Sequence, residues 1–592
     1  MRRIVVALVA AAVLAPAAGA ATTTTGPVYD SKGRLIQTPF APAVTPAKLT
    51  EARATAIFLR EPKVADWLRR YPTSDRITDA TYDKGREDWK VGVWWGAAGE
   101  IATGRVDDRT GEVTEAWTGP QVAWKMARGS PGAFGGRQIN SWPIWLGFCV
   151  LFLVGLGDLR RPLSVRNLDL LVLVSFSVSL WFFNRGDIFT AVPLAYPPLA
   201  YLLGRMAWTA WRGGPRASRA VWPVWALAAG AVFLTGFRVG LNLRDSNVID
   251  VGYSGVIGAE RIVHGEMPYG HMPTEGKLKA CGRADAEGEV RERIQTNGRC
   301  ESANERGDTY GPVAYESYIP GWAVFGWSGK WDSLPAAHAT SVLFDLLALI
   351  GLALVGRRFG GARLGAALPF AWAAYPFTQY VSSSNTNDAI MPVFLIFGFW
   401  LVTSAFARGA FLALAGWTKF AALLLAPLWG SYPEARRLSG KGLFAGGFAV
   451  ATVAAFSILL LEPSPAHAAR VFWDRTFGWQ VGRDSPFSIW GWGQYHAAGI
   501  PDLGSLQPVA IGLLVAGSIL VYFVPRKKNV VQLAALTAAV LIGFELTLTH
   551  WFYLYIPWFF PFVAFVLLTA RRRRVEAPPA HDDPDRELVP AG

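Results

Sequence analysis

The chain has 592 residues, of which 52% are hydrophobic and only 17% charged, with 26 Trp and 35 Phe; a soluble protein carries about 25% charged residues. Apolar runs of about 20 residues recur from position 142 onward, each long enough to cross about 30 Å of hydrocarbon, which excludes a water-soluble enzyme. The formal charge of +13 sits mostly in short caps between those runs: Arg160 with Arg161, Arg357 with Arg358, Arg436 with Arg437, Arg526 to Lys528 and Arg571 to Arg574. That is the positive-inside pattern, not the basic-aromatic patch of a nucleic-acid binder.

Residues 1–20 carry Arg2 and Arg3, an apolar stretch and a small-residue end at Ala18 to Ala20. They are expected to be a signal peptide, with an uncleaved anchor helix as the alternative. Either way, 21–140 falls on the extracytoplasmic side. There the apolar side made by Ala56, Phe58, Leu59, Val64, Trp67 and Leu68 predicts a helix over 46–70. Strands are predicted from Trp89 to Trp95, Glu100 to Val106 and Glu112 to Trp117, with a turn at Asp107 to Gly111. A helix followed by a meander with Val-Asp-Asp-x-Thr-Gly-x-Val at the turn resembles a PepSY-like domain, which implies binding or regulation and no catalysis; a plain spacer is the alternative.

The basic caps thread the rest. Three accessory spans (142–157, 168–184 and 188–210, within 141–220) precede a core over 221–570 with spans at 221–241, 335–355, 362–381, 389–406, 441–461, 507–524, 529–549 and 553–570. Residues 409–430 lie between two basic caps, so they are expected to turn back as a hairpin of short helices near Gly416 to Lys419; such broken helices occur at membrane depth where they line a cavity. The fold expected is mainly α. It is a polytopic bundle of about eleven crossings plus the hairpin, with a small α+β extracytoplasmic domain and a cytoplasmic, disordered tail at 571–592.

This threading brings the polar clusters to one side: the loop from Leu243 to Pro320, the turn Asn385–Asp388, the loop from Trp473 to His496, and Glu545 to His550. Within the long loop, Asp250-Val-Gly-Tyr253, then Gly258, His264-Gly265 and Pro268-Tyr269, resemble the first exterior loop of GT-C-type membrane glycosyltransferases. The similarity is greatest to the family-87 polyprenol-phosphate-mannose-dependent mannosyltransferases. Asp308-Thr-Tyr310-Gly-Pro312 is similar to their Thr-Tyr-x-Pro element, and Gly416-Trp-Thr-Lys419-Phe to their Gly-x-x-Lys-Phe hairpin. The sequence departs from that pattern in a long insert around Cys281 and Cys300, in Gly-Pro where the family has Pro-Pro, and in the three preceding spans.

The resemblance implies a GT-C-like core that moves a sugar, mannose by analogy, from a polyprenyl-phosphate donor to a lipid, glycan or protein acceptor, with inversion. A transporter or flippase of a lipid-linked saccharide is the alternative. Transfer needs a carboxylate to take the acceptor proton and cations where charge grows on the departing phosphate. Asp250 is the expected base, with Asp245 as substitute and a helix N-cap as its structural alternative. Arg244, Arg261, Lys419, Arg475 and Arg483 are the candidate phosphate partners, each also readable as a snorkelling interface residue. Tyr253, Asp308, Tyr310, Trp490, Trp492, Tyr495 and His550 are candidate substrate contacts, Glu545 and Asp388 more plausibly structural. Cys281 and Cys300 form a disulfide if their loop faces the oxidising side, and stay free thiols otherwise. Neither a Gly-rich nucleotide loop nor a zinc spacing is present, and a divalent cation is left open.

Overall fold

The computed structural model describes residues 28–29, 31–37, 46–129, 134–213, 222–284, 290–327, 329–331, 334–434 and 440–569. The expected signal at 1–20 and tail at 571–592 lie outside the described residues.

The N-terminal unit is an α+β fold. Thr50 caps the helix Glu51–Arg60 by accepting from the Arg53 amide. The chain then breaks at Glu61 and restarts with Pro62 in the first turn of Pro62–Leu68. One helix over 46–70 was the expectation; proline at that position is compatible with a new first turn but not with a continued helix, so the run splits. Four strands follow in antiparallel order, Arg76–Asp83, Asp88–Trp95, Gly99–Asp107 and Val113–Thr118. The first was not expected: Ile77 is 68% exposed, and the strand is mostly polar at the sheet edge, so its alternation is weak. The Asp107-Asp108 pair divides two structural tasks. Asp107 Oδ1 accepts from the Arg109 and Thr110 amides and shapes the turn. Buried Asp108 accepts from the Lys48 and Leu49 amides at 2.8 and 2.9 Å and from the Trp89 indole at 2.9 Å, tying the lead to the sheet.

The remainder is a helical bundle. Among the described residues, six helices are long and apolar enough to cross a membrane: Val165–Phe183, Val224–Arg244, Pro335–Ala374, Lys441–Leu461, Gly504–Phe523 and Val530–Thr547. Shorter apolar helices lie at Trp142–Leu156, Asn387–Trp400, Ala405–Gly416, Phe420–Gly430 and Tyr553–Leu568. Spans expected at 335–355 and 362–381 run together as Pro335–Ala374, with the break falling at Gly361, whose φ of 71° only glycine adopts readily. Along Gln507–Phe523 the large side chains Val509, Leu513, Ile519 and Leu520 are more than half exposed. A continuous apolar face of that kind needs lipid around it.

Two ion pairs inside the bundle did not feature in the sequence reading. Arg238 and Asp345 are both buried, held at 2.9 Å with Trp372 donating to Asp345 at 2.7 Å. Arg205 and Tyr201 both serve Asp169. Each acid is paired and hydrogen-bonded, which is what makes a charge tolerable at that depth.

The bundle has two chemically different ends. At one, Arg408 reaches the Tyr432 carbonyl, Lys528 donates its amide to Pro433, and Asn529 donates to Gly213. At the other, the polar loops and the N-terminal unit gather. The hairpin follows from this arrangement: Ala405–Gly416 leaves the basic end, the chain turns at Trp417 to Lys419 beside the polar loops, and Phe420–Gly430 returns.

Candidate active site

Helix Asp250–Val263 sets the first wall. Its Gly252 lies so close to the turn after Pro376–Ser384 that a Cβ there would stand 2.1 Å from the Asn385 carbonyl. The same turn is knitted to the start of the loop, because Asn242 donates to Ser382 O at 2.6 Å and to Asn385 Oδ1 at 2.8 Å, and Asn385 donates to Asn247 O at 2.8 Å. These contacts bring Asp388 to the same end of the bundle as Asp250.

The second wall is the motif Asp308 to Pro312. Asp308 is fully buried; its Oδ2 accepts from the Gly270 amide at 2.8 Å and from Arg475 Nε at 2.6 Å. Burial pushes its carboxyl above the usual range, and those two donors pull against it. Tyr269 donates to Tyr310 O at 2.9 Å, and Tyr315 donates to Gly307 O at 2.8 Å. Gly311 then packs directly on the hairpin: a Cβ there would meet Trp417 O at 2.0 Å, and the Val313 amide bonds that same carbonyl at 3.2 Å. Gly311→Ala is therefore expected to push the hairpin off the motif and cost about 1–3 kcal/mol, the usual penalty of overpacking. A fall in the unfolding temperature of the purified protein would register it, and an unchanged one would contradict the contact.

The hairpin delivers Lys419 to the centre. Its ammonium lies 3.0 Å from Asp388 Oδ1, with the two side chains 7% and 2% exposed. It sits 4.1 Å from the centroid of the Tyr310 ring, with Tyr555 and Trp558 at 5.9 and 5.7 Å. Such a cage favours a cation through both the carboxylate and the ring faces. Thr386 donates its hydroxyl to the other Asp388 oxygen at 2.8 Å, so Asp388 orients Lys419.

The third wall is the loop after Lys441–Leu461. Arg483 Nη2 approaches His550 Nε2 at 3.4 Å, and Ser485 Oγ lies 2.9 Å from His550 Nδ1. Desolvation, then the charges of Arg483 and Lys419, hold the imidazole well below its ordinary range. A neutral ring fits both contacts when Nε2 accepts from Arg483 and Nδ1–H donates to Ser485.

Asp250 faces this constellation. Its side chain keeps an open surface, while the surrounding walls desolvate it and push its carboxyl up. The Val251 amide, Arg483 and Lys419 pull the other way, and Asp388 adds to the rise. Among the described residues, only the adjacent Val251 amide bonds its carboxylate, at 2.9 Å through Oδ1, which leaves Oδ2 without a hydrogen bond. The arrangement is an accessible carboxylate that feels two cations, with aromatic rings around Lys419.

The other candidates lie elsewhere. Asp245 accepts from the Gln138 amide at 2.6 Å and fastens the linker from the N-terminal unit. Arg261, on helix Asp250–Val263, pairs with Glu266 at 3.8 Å and with Glu301 at 3.3 Å, the residue after Cys300 of the Cys281–Cys300 disulfide. Arg475 is committed to Asp308 and Glu305 O. Arg244 is exposed in the last turn of Val224–Arg244. Tyr253 is buried, stacked on Trp331 at 4.8 Å and donating to Ser302 O. Trp490 donates to Leu546 O, and Trp492 to Pro486 O. Tyr495 packs against Trp67 of the N-terminal unit, and its carbonyl accepts from Tyr71. Glu545 accepts from Trp551 at 3.0 Å.

Residues not singled out from the sequence are Tyr555, Trp558 and Trp124, whose ring lies 5.8 Å from that of His550. Aromatic residues are too frequent here for position alone to mark them. Among the described residues, no group of three or more His, Cys, Asp and Glu is placed to hold a metal ion.

No family model and no curated protein matches the chain. Among solved structures, it is similar to the crystal structure of ArnT from Cupriavidus metallidurans bound to undecaprenyl phosphate. The TM-score is 0.37 and the identity 16%, over 58% of this chain and 59% of that one.

Proposed function

We propose that this chain is an integral-membrane glycosyltransferase of the GT-C type, acting at the extracytoplasmic face on a polyprenyl-phosphate sugar, mannose by its sequence resemblance. The observation that carries the reading is the grouping of one accessible carboxylate, Asp250, with Lys419 and Arg483 at the polar end of a membrane bundle. The acceptor hydroxyl attacks the anomeric carbon from the side opposite the phosphate. Asp250 takes its proton as the new C–O bond forms. The bond from the anomeric carbon to the phosphate oxygen breaks, and its electrons stay with polyprenyl phosphate. Lys419 and Arg483 meet the charge that grows there. Attack and departure on opposite faces give inversion. The ring faces of Tyr310 and Tyr555 beside Lys419 suit a sugar or the first prenyl units.

The test is to reconstitute the purified protein in liposomes with polyprenyl-phosphate mannose and lipid, glycan and peptide acceptors, and to determine the linkage of the product by NMR. A product of configuration opposite to the donor is expected. Retained configuration would sink the Asp250 assignment, and no transfer from any polyprenyl-phosphate sugar would sink the reading itself.

A further inference from the structure

The N-terminal unit does not merely sit beside the bundle. Gln121 donates to Gly186 O at 2.9 Å, at the head of helix Ile188–Arg212. Tyr71 donates to Tyr495 O at 2.8 Å, and the Ala498 amide donates to Arg70 O at 3.1 Å. Trp67 stacks on Phe189 at 5.6 Å. Between these anchors the short helix Pro120–Ala123 ends, and Trp124 takes an extended backbone, φ −133° and ψ 119°. That turn directs the indole into the third wall of the site. The Arg483 guanidinium lies 5.7 Å from its centroid, and its ring meets Phe487 at 5.7 Å and His550 at 5.8 Å.

Arg483 has few other holds. Among the described residues its Nε is buried without a hydrogen-bond partner, and Nη2 reaches the His550 imidazole at 3.4 Å. No contact with a carboxylate within 4.0 Å is recorded for it among the described residues, whereas Lys419 has Asp388 and Arg475 has Asp308. A guanidinium without a carboxylate keeps its full charge for an anion, but it needs something to orient it. An aromatic face does this without neutralising it.

We propose that Trp124 completes the active site as a positioning residue. It holds Arg483 and His550 in place for the phosphate of a polyprenyl-phosphate ligand, so the N-terminal unit is an integral wall of the site. The inference rests on the function proposed above, and deepens it. Its consequence is that phosphate binding depends on a side chain more than 300 positions away from the cation it orients.

The experiment measures binding of undecaprenyl phosphate, without any sugar, to the full-length protein in detergent. Parent, Trp124→Ala, Trp124→Phe, Arg483→Gln and the Trp124→Ala/Arg483→Gln double variant are compared, with unfolding temperatures alongside. Loss of a desolvated cation–π contact corresponds to about tenfold weaker binding for Trp124→Ala. Trp124→Phe should recover most of it. In the Arg483→Gln background Trp124→Ala should change little, because the residue it orients is gone. Equal effects of Trp124→Ala with and without Arg483, or unchanged binding in a folded Trp124→Ala protein, would overturn the inference while leaving the glycosyltransferase reading intact. Absence of undecaprenyl phosphate binding by the parent would overturn both. If Trp124→Ala unfolds, Trp124→Leu, which keeps an apolar side chain but no ring, is paired with Arg483→Gln in the same cycle, and additivity there would overturn the inference equally.

Discussion

Asp250→Asn is expected to lower the rate of sugar transfer by about two to four orders of magnitude, the contribution of a positioned general base, with donor binding nearly unchanged. Asparagine keeps the shape and can still serve the Val251 amide, but it cannot take a proton. The pH dependence follows from the same environment. Desolvation raises the Asp250 carboxyl, so its basic form is lost as pH falls through a value above the ordinary carboxylate range of about 4. The acid limb of kcat/KM should therefore lie above that range. A carboxylate raised by folding also destabilises the native state at every pH where it is ionised. Asp250→Asn should then unfold at neutral pH no lower than the parent, so that activity falls without loss of stability. An acid limb at or below about pH 4, or activity that falls only in step with unfolding, would remove the base assignment.

Lys419→Met is the second large effect. A cation aimed at developing charge contributes about two to three orders of magnitude in kcat. Lys419 also neutralises buried Asp388, and removing it leaves that charge stranded, which destabilises the fold. The two roles separate in the double variant Lys419→Met/Asp388→Asn. Neutralising Asp388 should restore the unfolding temperature, yet leave transfer as slow as in the single variant. Recovery of activity together with stability would mean that Lys419 is only a structural partner of Asp388.

The spans and the hairpin were legible because both follow from averages over many residues, apolar length and the placement of arginines. Arg408 and the second basic cap forced residues 409–430 to double back, and the structure turns them at Trp417 to Lys419. What depends on single contacts was less legible. The strand Arg76–Asp83 is mostly polar and has no buried position, so its pattern fades in sequence. Nothing in the sequence assigns Arg475 to Asp308 across 167 positions, or leaves Arg483 Nε without a hydrogen-bond partner among the described residues. All five candidate arginines and lysines read alike, and only packing separates Arg261 and Arg475, held by Glu301 and Asp308, from Lys419 among the rings of Tyr310 and Tyr555 and Arg483 beside His550. Trp124 was invisible for a different reason: it lies just after the last strand of the N-terminal unit, far in sequence from the polar loops it meets.

The most direct test follows the bond that the proposed reaction breaks. Polyprenyl-phosphate mannose, labelled in both the lipid and the sugar, is placed in liposomes with the purified protein and an acceptor, and the lipid fraction is analysed by mass spectrometry. Free polyprenyl phosphate should accumulate with the parent protein at the rate at which mannose reaches the acceptor, and should not accumulate with Asp250→Asn. Lipid-linked mannose crossing intact to the opposite leaflet, with no free polyprenyl phosphate formed, would contradict the account and make the chain a transporter.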